Sequence, residues 1–215
     1  LLVCGVALMW HLDMLNTQIL AQNLLEGTNS FPLLAVPFFL LAGELMNAGG
    51  LSQRIVRVAD ALVGHVRGGL GYVALLAAAV VASMSGSAVA DSAAVAALLI
   101  PMMRKMGYNV PRSAGLIAAG GIIAPVIPPS IALIVYGVAA NISITKLFMT
   151  GLVPGVLMAV MLGLTWTLCA RKEPGARAHG FDARALKQAL YEGIWSLVLP
   201  VVIIGGMRFG VFTPT

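Results

Sequence analysis

A short polar sequence, Ser85-Gly86-Ser87, interrupts an otherwise apolar stretch at residues 70–103. The polar residues gather near the middle of the stretch, which indicates a break between two helices. Such a break frees carbonyl oxygens at the end of the first helix and N–H groups at the start of the second. The oxygens can bind a cation and the N–H groups an anion. Ser85, Gly86 and Ser87 are therefore candidate binding residues, with Ser85 and Ser87 as candidate metal ligands.

Asp91 is the single acidic residue in the same stretch and falls in the predicted first turn of the second helix. An ionisable side chain within an apolar segment is a functional candidate. Two structural interpretations stay open beside that one. Asp91 can cap the helix or complement its dipole, and the neighbouring serines can be small residues that permit close packing.

A second interruption runs from Gly120 to Ser130 and contains Pro125, Pro128 and Pro129. Prolines lack an N–H donor and disfavour helix at the preceding residue, so this segment is predicted to unwind. Ser130 is placed to cap the helix that follows. A proline kink without a ligand is the alternative, but discontinuous helices mark binding sites in secondary transporters. Because two breaks occur in neighbouring segments, we add the residues of the second one to the candidate ion- and substrate-binding residues: Pro125, Pro128, Pro129 and Ser130.

The composition predicts that membrane helices position these residues. Hydrophobic residues make up 60% of the chain and charged residues 10%, compared with about 25% charged residues in soluble domains. The net charge of +5 comes from clusters between apolar runs, without a basic face, which argues against nucleic-acid binding. No His, Cys or Lys lies near the apolar centre to activate the serines, so a membrane-embedded enzyme has no support.

The placement of basic residues predicts that residues 70–103 enter and leave the membrane on one side. Arg67 precedes the stretch, and Arg104 and Lys105 follow it. Basic residues favour the cytoplasmic side, so both ends are predicted to lie there. Two arms of about 15 residues each extend about 23 Å, less than the hydrocarbon core of about 30 Å. These constraints together predict a re-entrant helical hairpin.

The predicted fold class is an all-α integral membrane protein with transmembrane helices, a re-entrant hairpin and a broken, unwound helix. The predicted segments are N-terminal transmembrane helices at 1–50, a cytoplasmic amphipathic helix at 51–69, the re-entrant hairpin at 70–103, the broken transmembrane helix at 104–147, a transmembrane helix at 148–172, a cytoplasmic loop with an interfacial helix at 173–194, and the start of another transmembrane helix at 195–215. The chain begins at Leu1 and stops at Thr215 without a closing element, which predicts a truncated chain.

Four sequence segments resemble the large membrane subunit, of DctM type, of tripartite ATP-independent periplasmic (TRAP) transporters. They are PFFLLAGELMNAGG at 37–50, SGSAVADSAA at 85–94, IAPVIPPSIALIVYGVAANISI at 123–144, and GGMRFGVFTPT at 205–215. The resemblance covers essentially the whole chain, with the segments in the same order. It implies a sodium-driven importer of organic anions, such as four-carbon dicarboxylates or sialic acid, in the bacterial inner membrane.

The resemblance also implies partners and a mechanism. A periplasmic binding protein would deliver the anion, and a small membrane subunit, separate or fused, would form part of a scaffold against which a transport domain moves as an elevator. Sodium is the expected coupling ion and no other cofactor is expected. The family's hairpin-tip residues match Ser85, Gly86 and Ser87, its acid matches Asp91, and its unwound segment matches Pro125, Pro128, Pro129 and Ser130. Family members contain an inverted second copy of hairpin and broken helix, so this chain is expected to supply half of the site.

Two other functions stay open at this point. A related ion-coupled anion carrier with paired hairpins and no binding protein would use the same breaks. A purely structural membrane subunit would leave both the breaks and the intramembrane acid unexplained.

Overall fold

The described part of the chain consists of helices and connecting turns. A computed structural model describes residues 2–11, 18, 21–22, 25–26, 29, 31–171, 173, 180, 182–209 and 211. We number the α-helices of these residues α1 (Leu2–His11), α2 (Ala35–Ala48), α3 (Leu51–Val63), α4 (Gly69–Ser85), α5 (Ala88–Lys105), α6 (Val110–Gly121), α7 (Ile131–Ala139), α8 (Ile144–Ala170) and α9 (Ala183–Arg208), with a 3-10 helix at Phe31–Leu34 before α2. The all-helical fold class predicted from the sequence is confirmed.

The amphipathic helix predicted at residues 51–69 forms over the shorter range of α3. Its apolar face, which includes Ile55 and Val58, is buried, while Arg54 stays exposed. The buried face packs against α4 and α9. At Gly193 of α9, a Cβ atom would lie 2.5 Å from Val58 Cγ2. Protein therefore covers the apolar face of α3, and its cytoplasmic location stays a prediction.

The hairpin arms α4 and α5 are separated by Gly86 and Ser87 alone. Together with α6 they enclose the main apolar core of the described residues. Its most deeply buried side chains, between 0% and 2% exposed, include Val73, Val95, Leu99, Met103 and Ile117. The break thus occurs where the sequence predicted it. That the hairpin re-enters a membrane stays a prediction.

The helix predicted to be broken within residues 104–147 consists of α6 and α7, with the non-helical segment 122–130 between them. Asn109 caps α6, since its side-chain oxygen accepts a hydrogen bond from the Arg112 N–H at 3.1 Å. Ser130 caps α7 by accepting a hydrogen bond from the Leu133 N–H at 3.4 Å. The predicted cap at Ser130 is confirmed.

Among the described helices, α8 is the one that is long and apolar enough to cross a membrane by itself. The helices at Pro32–Ala48 and Leu51–Val63, bent by 65°, satisfy the same criteria as a pair. Only 17% of the apolar window of α8 is buried within the protein. Because a helix with so many outward-facing apolar side chains is poorly suited to water, lipid or another apolar surface is favoured around α8.

Helix α9 is continuous where the sequence predicted an interfacial helix followed by a separate membrane segment at 195–215. Residues 184–192 contain strong helix formers and no proline, so nothing ends the helix before Trp195. The first half also has a partner in α3, because Arg57 and Glu192 form an exposed ion pair at 3.3 Å. The first half of α9 therefore packs against α3 on one side, and its location at the membrane interface stays a prediction.

Some sequence predictions lie outside the described residues. They include most of residues 12–30 within the predicted N-terminal transmembrane helices, most of residues 174–181 within the predicted cytoplasmic loop, and the end of the GGMRFGVFTPT segment.

Candidate functional site

The tip of the hairpin consists of Gly86 and Ser87, directly after Ser85, the last residue of α4. Gly86 has a φ of +63°, in the left-handed region that residues with a Cβ atom disfavour. Ser87 caps α5, since its hydroxyl oxygen accepts a hydrogen bond from the Ala90 N–H at 3.5 Å. The tip is therefore a sharp break between α4 and α5, at the position that the polar sequence predicted.

Ser130 holds the two sides of the second break together. Ser130 is 0% exposed, and its hydroxyl donates a hydrogen bond to the Pro125 carbonyl at 2.7 Å. The same oxygen accepts the capping bond from the Leu133 N–H. Pro128 beside it is also fully buried. Residues 127–130 at the end of the non-helical segment are thus buried.

The two breaks are in direct contact. A Cβ atom at position 86 would lie 2.7 Å from the Pro129 carbonyl oxygen and 3.1 Å from Ser130 Cα. Any side chain at this position would therefore displace backbone, so glycine is required here for its size as well as for its φ angle. We call Gly86, Ser87, Pro129 and Ser130 the tip junction. It joins residues from both of the interruptions predicted from the sequence.

The break supplies backbone oxygens that the described residues leave without hydrogen bonds. No residue in the described ranges donates a hydrogen bond to the carbonyls of Val126, Pro128 or Pro129. Buried carbonyls are nearly always paired, so unpaired ones at a buried turn require an explanation. Carbonyls of unwound segments bind sodium ions in secondary transporters. The chemistry of the tip junction therefore suits a hard cation.

Two helices begin at the tip junction, α5 after Ser87 and α7 after Ser130. The first N–H groups of a helix have no partner within it, and the helix dipole places partial positive charge there. A carboxylate is bound favourably at such a position. The junction thus combines carbonyl oxygens that could bind a cation with N–H groups that could bind an anion, and binding of either stays a prediction.

Asp91 lies one turn beyond the tip and is 2% exposed. Its main-chain N–H donates a hydrogen bond to the Ser87 carbonyl at 3.0 Å. It shares the buried face of α5 with Val95 and Leu99. The structure thus places Asp91 on the core side of the first turn, where a charge also complements the helix dipole. Its role as a ligand stays a prediction.

One close contact at the site is absent from the sequence-based prediction. Gly121, the last residue of α6, lies against the start of α5, so that a Cβ atom there would overlap Ser92 Oγ and lie 3.1 Å from the Ala88 carbonyl oxygen. The signal for this contact is the Gly120-Gly121 pair at the end of the helix, which permits close approach. The sequence places this pair within the second interruption and predicts no contact with α5.

The sequence of the chain is similar to that of known transporter proteins. A family model described as the DctM component of the tripartite ATP-independent periplasmic transporter matches residues 1–215. The large permease protein YiaN of the 2,3-diketo-L-gulonate TRAP transporter of Escherichia coli is 59% identical over 215 residues, which are all of this chain and 51% of YiaN. The sialic acid TRAP transporter permease protein SiaT of Haemophilus influenzae is 43% identical over 90% of this chain and 32% of SiaT.

A third relative is the large permease protein DctM of the C4-dicarboxylate TRAP transporter of Pseudomonas aeruginosa. It is 39% identical over 91% of this chain and 46% of its own length. The chain thus spans about half the length, or less, of these curated relatives.

Proposed function

Because the family model matches all of its residues, the chain belongs to the DctM family of tripartite ATP-independent periplasmic transporters, and we propose that it forms one side of a sodium and substrate site. The proposed activity is sodium-coupled import of an organic anion across the bacterial inner membrane. A periplasmic binding protein delivers the anion, and a small membrane subunit, separate or fused, completes the assembly. Sodium is the coupling ion, and no other cofactor is proposed.

The tip junction is the observation that supports this proposal. Gly86 touches Pro129 and Ser130, so the Pro129 carbonyl oxygen, which no described residue donates to, lies beside the hairpin tip that precedes α5. A cation bound to the oxygens and a carboxylate bound to the N–H groups would then neutralise each other in a buried place. That mutual stabilisation is a physical basis for coupling sodium to an anion. Ser85, Asp91, Pro125 and Pro128 are the remaining proposed contributors.

The substrate class is proposed from the relatives together with the site. The three relatives are named for 2,3-diketo-L-gulonate, sialic acid and C4-dicarboxylate, all of which carry a carboxylate. The N-termini of α5 and α7 are suited to that group. We propose an organic acid of this kind for the present chain.

The proposed movement is of elevator type. The contact between the tip and the break, together with the shared core of α4, α5 and α6, allows these elements to move as one unit with the site. A scaffold made of helices that do not contact this unit or the site, together with the small subunit, would stay in place.

The capping serines provide a matched test in the complete transporter with its partner proteins. Ser87, Ser130 and Ser143 each accept a hydrogen bond from a helix N–H, at 3.5, 3.4 and 3.5 Å. Replacing each by Ala therefore removes a similar cap, worth about 1 kcal/mol. We expect Ser87→Ala and Ser130→Ala, but not Ser143→Ala, to raise the sodium concentration for half-maximal uptake by about tenfold, as the loss of one ligand of roughly 1.4 kcal/mol predicts.

The measurement is initial uptake of the anion across a sodium titration, at matched amounts of transporter in the membrane. Uptake by the unchanged protein that does not depend on sodium would refute the coupling. Equal sodium dependence of all three variants would refute the assignment of the site to the tip junction.

A further inference from the structure

Helix α8 has one buried face along its length. Five of its buried residues lie on this face: Phe148, Gly151, Gly155, Trp166 and Ala170. Residues on the other side are exposed, with Val153 at 74% and Leu168 at 64%. One side of α8 thus packs against the protein at both its middle and its end.

The middle of α8 contacts the unwound segment through two glycines. A Cβ atom at Gly151 would lie 2.5 Å from the Val126 carbonyl oxygen, and one at Gly155 would overlap Ile127 Cγ1. Val126 and Ile127 directly precede Pro128 in the chain. Close contact with α8 therefore prevents the segment from moving toward α8.

The far end of α8 is fastened to the base of the hairpin. The Trp166 indole N–H donates a hydrogen bond to the Gly68 carbonyl at 2.9 Å, and its ring stacks on Tyr108 with centroids 6.4 Å apart. Just beyond α8, the Glu173 carboxylate accepts a hydrogen bond from the Asn109 N–H at 3.0 Å.

Glu173 also forms an ion pair with Arg112, and its side chain is 1% exposed. We call Gly68, Tyr108, Arg112, Trp166 and Glu173 the base cluster. Its members come from the turns before α4 and after α5, from the first turn of α6, from the end of α8 and from the residues just beyond it. The cluster therefore joins α8 to the base of the hairpin, where α4 begins and α5 ends.

Resting on the proposed function, we propose that α8 is a brace that presses the unwound segment against the hairpin tip, with Gly151 and Gly155 as positioning residues for the sodium site. The base cluster holds one end of the brace on the hairpin. The two glycines then set the distance between the free carbonyls of the break and the tip. They touch the segment that carries the ligands and do not themselves bind the ion.

A matched set of variants in the complete transporter tests the brace. Gly155→Ala places a methyl group against Ile127, whereas Gly163→Ala on the same helix meets nothing within 4 Å. We expect Gly155→Ala to raise the sodium concentration for half-maximal uptake by about tenfold, as overpacking of a buried contact predicts, with little change in maximal uptake. Gly163→Ala should behave as the unchanged protein does.

A reciprocal change separates positioning from folding. Ile127→Ala removes the carbon that a methyl group at 155 would overlap, so Gly155→Ala combined with Ile127→Ala should restore sodium affinity toward that of the unchanged protein. The same double variant gives the test if Gly155→Ala alone does not accumulate. Gly151→Ala opposes a backbone oxygen instead, so Ile127→Ala should not rescue it.

The outcomes distinguish the brace from the proposed function. Sodium-independent uptake by the unchanged protein would refute the proposed function itself. Sodium-dependent uptake that Gly155→Ala leaves with an unchanged half-maximal concentration would refute the brace alone. Gly151→Ala is the reference that Ile127→Ala does not rescue. If the double variant Gly155→Ala/Ile127→Ala accumulates but binds sodium no more tightly than Gly151→Ala does, the brace is also refuted.

Discussion

The two ends of the hairpin are built in opposite ways. At the base cluster, the buried Glu173 carboxylate has donors from Arg112 and from the Asn109 backbone, and the Trp166 N–H has the Gly68 carbonyl. At the tip junction, the carbonyl of Pro129 lies against Gly86 and has no hydrogen-bond donor among the described residues. Satisfied polar groups stabilise a fold, while buried oxygens that lack donors are available to a ligand. We infer that the base supplies stability and the tip supplies function.

The largest expected effect comes from a side chain at the tip. Gly86→Ala introduces left-handed strain of about 1–2 kcal/mol and a methyl group directed at the Pro129 carbonyl. We expect sodium-dependent uptake to fall about a hundredfold, since a displacement of about 1 Å has that effect on a preorganised site. Gly50→Ala is the control, because Gly50 has a φ of +75° but open space around its Cβ position. Equal losses in both variants would show that strain alone matters at Gly86.

A smaller effect is expected at the base, and on stability rather than on sodium affinity. Arg112→Ala leaves the buried Glu173 carboxylate with one described donor, the Asn109 N–H. Breaking a buried ion pair costs about 3–5 kcal/mol, and we expect about 2 kcal/mol here because Arg112 is partly exposed. The control is Arg57→Ala, whose partner Glu192 is exposed, for which the loss should be about 0–1 kcal/mol. Thermal unfolding of the purified transporter measures both, and equal losses would contradict a special role for the base.

The smallest effect is a pH dependence at the base. Burial raises the pKa of the Tyr108 hydroxyl above its ordinary value of 10.0; a backbone hydrogen bond with Leu70 lowers it, and the charge of Glu173 raises it. A raised folded-state pKa means that stability is full below about pH 10 and falls as pH rises through the folded pKa.

The variant Tyr108→Phe tests whether ionisation of Tyr108 lowers stability at high pH. Tyr108→Phe cannot ionise, so its unfolding temperature should fall less than that of the unchanged protein between about pH 9.5 and pH 11.5. Parallel curves for the two proteins would contradict a buried, proton-retaining Tyr108.

The positions of both helix breaks could be predicted because their causes are local. The adjacent prolines Pro128 and Pro129 remove two successive N–H donors and so stop a helix, and a serine after a break can cap the next helix without tertiary help. Polar residues between apolar arms likewise placed the tip at Gly86. These signals also predicted Ser130 as a cap, which the structure confirms.

The remaining features depend on contacts between distant residues, which the local pattern does not contain. The sequence indicated an interfacial helix that ends before Trp195, whereas α9 continues through Trp195 and packs against α3. Glu173 falls at the start of the segment predicted as a cytoplasmic loop, whereas the folded chain buries its side chain beside Arg112. No local pattern predicts the role of Gly151 and Gly155 in α8, because they contact Val126 and Ile127 in a different segment.

Direct binding of sodium tests the central claim that the tip and the break together form an ion site. The measurement is equilibrium binding of radioactive sodium to the purified complete transporter, for the unchanged protein, Gly86→Ala and Gly50→Ala. We predict saturable binding that Gly86→Ala weakens by at least about tenfold and Gly50→Ala leaves nearly unchanged. Equal sodium binding by all three proteins would contradict a site at the tip junction.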